Sequence, residues 1–325
     1  MAKKIGIDLG SSKIRISTNK DGIIVDDNST VAIEVDNKTI IKAGSDAEAM
    51  IGRTPGKMKA VKPIKNGVID DFELTEGLIS HLLQKSSFHI GLTKPIIVFT
   101  YPSGVTEVDK NALKELGEEL GAKEVVLKEK SLISAYGLDM NLEEPVANMI
   151  VDIGFGLTEI AIISLNDIVI SSSIKTAGRN FNEDIKKYIK MKYKLLIGEK
   201  TAENIKRTIG CIHKTKEDET MEIKGRNLIS GLPNSANISS KEVKEAIKDS
   251  VDQIVKQIKN ILEKTPPELS ADIVDKGMVL TGGSSELKGL LELLEEKLQI
   301  PVIKADNNKT TIADGFIKYF STRNL

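Results

Sequence analysis

The sequence predicts an α/β fold made of two duplicated units. Three observations lead there. The chain has 325 residues, long for one compact core, so two domains are expected. The stretches GIDLGSSKIRIS and VDIGFGLTEIAI follow one plan: an apolar strand carrying Asp8 or Asp152, a turn opening on Gly10 or Gly154, then a second apolar strand. A recurrence of that kind is the mark of a repeated supersecondary unit, and the two copies are expected to face each other across a cleft. Three glycine turns also stand at the carboxyl ends of predicted strands, beginning at Gly10, Gly154 and Gly282.

The first half opens with KKIGIDLG, KIRIST and GIIVDD, strand-like runs separated by Gly, Asp and Asn turns. VAIEV and TIIKAG predict two further short strands, and SDAEAMIG a helix capped by Ser45. In LTEGLISHLLQKS the residues Leu74, Leu78, Ile79, Leu82 and Leu83 keep helical spacing. KPIIVFTYP reads as a buried strand, VTEVDKNALKELGEELG as an amphipathic helix closed by Gly121, and EVVLKE as the next strand. The second half repeats strand, turn and strand over NMIVDIGFGLTEIAIISLNDIVISSSI. Helices follow in NEDIKKYIKMKYK, TAENIKRTIG and SSKEVKEAIKDSVDQIVKQIKNILEK. The last puts Val243, Ala246, Ile247, Val251, Ile254, Ile258 and Ile261 on one face, with Ser240 as cap and Pro266 and Pro267 as stop. GMVLTGGSSELKGL predicts strand, glycine turn and helix, and TTIADGFIKYF a final helix returning to the first half.

Composition narrows the function classes. A net charge of -1 and no basic patch argue against a nucleic-acid binder. One cysteine, Cys211, excludes an internal disulfide framework and fits a reducing compartment, so a cytoplasmic location is expected. No apolar run reaches the length of a signal peptide or a membrane span. His81, His89 and His213 are scattered without metal-ligand spacing.

The glycine turns carry the chemistry. Glycine lets backbone N–H groups approach phosphate oxygens closely, which holds an anion without large side-chain charge. The third turn precedes a predicted helix, whose N-terminus would add a polar anchor. Asp8 and Asp152 each stand two residues before such a turn, suited to the water shell of Mg²⁺ on a polyphosphate.

The order phosphate turn, second phosphate turn, adenosine turn resembles the superfamily of actin, heat-shock chaperone and sugar-kinase ATPases. Within it the chain is similar to the MreB family of bacterial actins. The matching text is MIGRTPGKMKAVKPIKNGVIDDFELTE, PSGVTEVDK, AKEVVLKE, LLIGEKTAENIK, EIKGRNLISGLP and EKTPPELSADIVDKGMVLTGG. The resemblance implies an actin-like fold around ATP or ADP with Mg²⁺: one domain of residues 1–140 and 310–325, the other of 141–309. Their smaller subdomains would be about 32–65 and 178–248. Gly10, Ser11, Ser12 and Lys13 would line the first phosphate turn, and Gly154, Phe155, Gly156 and Leu157 the second. Glu203, Asn204 and Lys206 would face ribose and base, and Gly282, Gly283, Ser284 and Ser285 would close over adenosine. Asp8 and Asp152 would hold the metal through water. The implied role is a self-assembling cytoskeletal filament, its protofilaments paired, concerned with cell shape or motility.

Two departures bear on hydrolysis. The family usually reads Glu-Glu-Pro where this chain has Glu129-Lys130-Ser131, and Gly-Gly-Gly-Thr-Thr where it has Gly154-Phe155-Gly156-Leu157-Thr158. Lys130 thus replaces the carboxylate expected to orient or deprotonate the attacking water, and Leu157 a water-positioning hydroxyl. General-base help is worth roughly 10²- to 10⁴-fold, so binding with weak hydrolysis is expected. Arg179 and Asn180 also stand where relatives carry Asp-Glu. Phe88, Ile90 and Leu92 form an apolar loop that could touch a membrane or pack inward. The rivals are a conventional filament ATPase timed by hydrolysis, a plasmid-segregating actin, and a heat-shock-type chaperone. The chaperone is disfavoured because no peptide-binding domain follows the cleft.

Overall fold

The computed structural model describes residues 3–86, 88, 94–213 and 218–322. The chain divides into two compact units: residues 1–145, 163–173 and 309–325, and residues 146–162 and 174–308.

In the first unit the opening runs form β1 (Lys4–Leu9), β2 (Lys13–Thr18) and β3 (Gly22–Asn28). Next come β4 (Val31–Glu34), β5 (Ile40–Ala43), the one-turn α1 (Ser45–Glu48) and β6 (Met58–Val61). These strands make a small antiparallel sheet with β4 central. After the β7 (Ile64–Lys65) and β8 (Val68–Ile69) hairpin run α2 (Phe72–Lys85), β9 (Ile96–Tyr101), α3 (Glu107–Glu119), β10 (Glu124–Glu129) and α4 (Lys130–Gly137). The main sheet has the order β10-β9-β1-β2-β3, with β9 parallel to both β1 and β10 and β2 antiparallel to both β1 and β3. The periodic leucines of α2 are buried against Ile5, Ile7, Ile14 and Ile16 of this sheet in one core, the area term that dominates stability.

The second unit repeats the plan. It contains β11 (Asn148–Ile153), most of β12 (Thr158–Ser164), the end of β13 (Asp167–Ile174), α5 (Gly178–Tyr193), β14 (Leu195–Leu196) and α6 (Glu199–Ile209). The hairpin β15 (Thr220–Asn227) and β16 (Pro233–Ser239) leads into the 25-residue α7 (Ser240–Lys264) and α8 (Pro267–Lys276). Strand β17 (Met278–Thr281), a 3₁₀ turn at Gly283–Glu286, α9 (Leu290–Leu298) and β18 (Val302–Lys304) close it. Its sheet runs β13-β12-β11-β17-β18, the order of the first sheet read from β3 to β10. The duplication read from two short motifs therefore extends to the whole sheet.

The final helix, α10 (Thr311–Thr322), packs in the first unit, as its sequence predicted. It crosses α4 glycine on glycine. A Cβ on Gly137 would lie 1.9 Å from the Thr311 carbonyl oxygen, and one on Gly315 2.0 Å from that of Ile133.

Four details differ from the sequence reading. Ser45 does not cap α1: the cap is Gly44 at φ 68°, and the Ser45 N–H donates to Asp27 at 2.7 Å. The α7 cap is Ser239, not Ser240, because Ser239 shares a capping box with Glu242. Ala246, expected on the buried face of α7, is half-buried. Residues 163–173, expected within one block 141–309, group with the first unit. There the Asn166 N–H donates to the Leu142 carbonyl at 2.7 Å and the Ser173 hydroxyl to the Ser103 carbonyl at 2.7 Å.

Candidate functional site

The first turn lies between β1 and β2 in the first unit. Gly10 is required there, since a Cβ would fall 2.4 Å from the Lys13 carbonyl oxygen. Ser29 donates its hydroxyl to the Gly10 carbonyl at 2.5 Å and its N–H to the Ser12 carbonyl at 2.9 Å, so a neighbouring segment braces the turn. The Ser11 hydroxyl accepts from the Gly67 N–H at 3.1 Å. Lys13 pairs with Asp26 of β3 at 3.2 Å, which draws its charge along the sheet. Asp8, 4% exposed, accepts from the Thr100 hydroxyl at 3.3 Å.

The second unit draws together the other predicted turns. In the β11–β12 turn the Gly154 N–H donates to the Leu157 carbonyl at 2.9 Å. The Gly154 carbonyl accepts two bonds, from the Gly178 N–H at 3.1 Å and the Ser284 hydroxyl at 2.7 Å. The start of α5 and the third turn therefore converge on the second turn. Gly282 permits this approach: at φ +88°, a Cβ on it would lie 2.2 Å from Asp152 Oδ1. Ser285 is buried, its hydroxyl donating to the Gly282 carbonyl at 2.6 Å and accepting from Asn308 at 3.0 Å. Gly283 is exposed. The expected helix after this turn is a four-residue 3₁₀ turn, and α9 begins only at Leu290, so no helix N-terminus stands at the turn itself.

Helix α6 supplies the charged wall. Glu203 and Lys206, three residues apart, share one face and pair at 2.7 Å. Lys206 also donates to the Gly178 carbonyl at 3.1 Å, which ties α6 to the start of α5. Burial, the largest influence, depresses the Lys206 ammonium below its usual range, and Glu203 opposes this without cancelling it. Burial would raise the Glu203 carboxyl, but Lys206 and Asn182 overcome it and hold it low. Asn204 belongs to another face of the helix. It is exposed and accepts from the Thr208 hydroxyl at 3.5 Å, so the structure separates it from Glu203 and Lys206. Gly178 and Asn182 joined the site without sequence warning, although a glycine at a strand-to-helix junction is a legible signal. Phe155 lies under two cations, Arg179 at 5.5 Å and Lys206 at 5.9 Å from its ring.

The two substituted positions are distinct in character. Lys130 is the first residue of α4, and the Glu129 carboxylate before it accepts from Ser103 at 3.1 Å and Ser171 at 3.3 Å. Leu157 is buried. The next hydroxyl, Thr158, cannot take over its role: it is fully buried and donates to the Thr176 carbonyl at 2.7 Å.

Asp8 and Asp152 are buried at or near the carboxyl ends of β1 and β11, each just before its turn. Their oxygen chemistry fits a hard cation that keeps most of its waters. Among the described residues no group of three His, Cys, Asp or Glu could hold a metal directly. Phe88 is partly buried, packing against the first unit's core with the Lys3 ammonium 3.6 Å from its ring. Ile90 and Leu92 lie outside the described residues. No helix among the described residues is long and apolar enough to cross a membrane.

Two sheets of identical strand order, each with a buried aspartate before a glycine turn, define an actin-like protein. The chain belongs to the MreB/Mbl protein family, whose model matches residues 2–325. It is 44% identical over 314 residues to the cell shape-determining protein Mbl of Bacillus subtilis, covering 97% of this chain and 94% of that one. It is similar to MreB 5 of Spiroplasma citri bound to AMPPNP, with TM-score 0.95, 34% identity, and 99% and 97% of the two chains covered. A MamK double helical filament shares the fold at TM-score 0.83 and 20% identity, over 98% of each chain.

Proposed function

We propose that this chain is a nucleotide-dependent filament subunit of the bacterial cytoskeleton that binds ATP or ADP with Mg²⁺ and hydrolyses ATP weakly. The observation that carries the reading is the convergence of Ser284 and Gly178 on the Gly154 carbonyl beside the Lys206–Glu203 pair. Glycine turns cradle phosphate oxygens with backbone N–H groups, and Gly10 to Lys13 supply a second such turn. Glu203 receives the ribose hydroxyls, and the Asp8 and Asp152 carboxylates, each within its own unit, are of the kind that would hold a hydrated Mg²⁺. Bound Mg²⁺ supplies charge neutralisation on the polyphosphate. Lys130 neutralises phosphate charge but takes no proton while charged, and Leu157 positions no water.

Filament growth needs a head-to-tail contact that does not close into a ring. The exposed apolar side chains Val108, Ile229, Leu232 and Val274 are candidates for such contacts. The cell-shape role named for the Bacillus subtilis relative is the expected role here, with motility as its alternative. The reading does not use Phe88 for membrane contact, because that ring packs in part against the first unit's core.

Calorimetry with ATP and Mg²⁺ tests the binding, with Asp152→Ala as control. Tight binding that weakens in the variant supports the reading, and no heat of binding in either protein sinks it. Sedimentation at micromolar protein tests assembly. A pellet of straight paired protofilaments is expected, and a strict monomer under all nucleotide and salt conditions would favour the chaperone-type alternative.

A further inference from the structure

We infer that Asn182, which touches no nucleotide in this reading, is the positioning residue that gives the site its selectivity for an intact ribose. The inference rests on the proposed nucleotide site and concerns how Glu203 is aimed. Asn182 lies on α5, one turn beyond Gly178, and is fully buried. Its amide nitrogen donates to Glu203 Oε2 at 2.9 Å and to Glu199 Oε1 at 2.8 Å. The orientation is set by chemistry. A flipped amide would turn its oxygen toward two carboxylates, so the nitrogen must face them.

The consequence for Glu203 is specific. Asn182 and Lys206 both engage Oε2, at 2.9 and 2.7 Å, and Oε1 has no partner among the described residues. Glu203 retains 36% side-chain exposure. One carboxylate oxygen is thus pinned inward, and the other is held at the surface as an aimed acceptor. A vicinal diol donates two hydroxyls, and a fixed acceptor rewards both. Glu199 is itself held by Lys186 at 3.4 Å, so it anchors the far side of the amide. The Asn182 oxygen finds no partner among the described protein groups. A buried amide with half its capacity unmet costs stability, and both of its donors are spent on the two carboxylates it orders.

Without the amide, Glu203 keeps Lys206 but loses one of the two bonds fixing its plane. The carboxylate can then swing, and discrimination falls while phosphate binding persists. A site built to bond a hydroxyl rejects the analogue lacking it far better than an unaimed one does.

The experiment measures dissociation constants of ATP and 3′-deoxy-ATP, each with Mg²⁺, for the full chain and for Asn182→Leu, Asn182→Asp and Glu203→Gln. The expected result is a preference for ATP in the parent that shrinks about tenfold in Asn182→Leu, the scale of one hydrogen bond to a charged group. Asn182→Asp keeps the shape but places a third carboxylate beside Glu199 and Glu203, and is expected to lose the preference equally. Glu203→Gln loses it outright. A parent that binds neither nucleotide refutes the nucleotide site itself. A parent that binds and prefers ATP, with both Asn182 variants keeping that preference, overturns the role of Asn182 alone. If Asn182→Leu does not fold, Asn182→Asp decides between the same two outcomes.

Discussion

The hydroxyl of Ser284 donates to the carbonyl oxygen of Gly154 at 2.7 Å, joining two turns separated by 130 residues of chain. This bond fixes the third turn on the second before any ligand arrives. Its removal tests whether the turns act as one preformed site. Ser284→Ala is expected to weaken ATP binding about fivefold, the scale of one neutral hydrogen bond. Calorimetry reads the affinity, and thermal melting of the apo protein should move by only a few degrees. An unchanged affinity would mean the turns bind independently.

Gly282 meets both conditions that demand glycine: φ of +88° and a Cβ position 2.2 Å from Asp152 Oδ1 and 2.5 Å from the Ile153 carbonyl oxygen. Gly282→Ala combines a backbone conformation reserved almost wholly for glycine (φ 88°, ψ 154°), about 1–3 kcal/mol, with displacement of a buried carboxylate. A loss of about 3 kcal/mol or more in urea unfolding is expected. Gly283→Ala next to it is the control, because a Cβ there meets nothing within 4 Å. That variant should cost under about 1 kcal/mol.

The duplicated sheets were legible because β1 and β11 are short apolar runs ending in Asp and Gly, a pattern that both propensity and chemistry enforce. The hairpin β15–β16 was not. Its strands TMEIKGRN and PNSANIS are mostly exposed and rich in polar residues, and only Ile223 and Ile238 are buried to mark an inner face. The turns were legible for the same reason as the sheets, since glycine has few other uses at a strand end. The α6 wall was read less well. Asn204 follows Glu203 by one residue, about 100° around the helix, whereas Lys206 returns to the same face. Ser239 and Ser240 stand side by side, and only the partner Glu242 three residues after Ser239 separates cap from first turn.

The Glu203–Lys206 pair gives the site a two-ended pH response. Glu203 has its folded pKa lowered from 4.5, so its contribution is present above the unfolded value and lost as pH falls through the folded one. Lys206 is lowered from 10.5 by burial. A folded group that holds its proton less tightly carries its full penalty below the folded pKa, and the penalty is relieved as pH rises toward 10.5. Melting curves should therefore show an acid loss below about pH 4.5 that is smaller in Glu203→Gln. Lys206→Met should flatten the alkaline side. Identical acid profiles for parent and Glu203→Gln would show that solvent already screens this half-exposed carboxylate.

Lys130 and Leu157 decide the rate of hydrolysis in the proposed function. Lys130→Glu restores a carboxylate able to orient water, and Leu157→Thr a hydroxyl in the second turn. The adjacent Thr158 hydroxyl is committed to the Thr176 carbonyl at 2.7 Å and offers no substitute. Both replacements are aimed at the same hydrolytic step of the proposed function, so the double variant is expected to gain more than the single gains multiplied, as coupled positions do. A gain of about 10²-fold in phosphate release is the scale of recovered general-base assistance. In the proposed function Lys130 also neutralises phosphate charge, so the variants are compared at saturating ATP and their affinities measured separately. A double variant no faster than the parent would show that the missing groups lie elsewhere. A parent already releasing phosphate at the rate of relatives carrying both family residues would remove the weak-hydrolysis reading altogether.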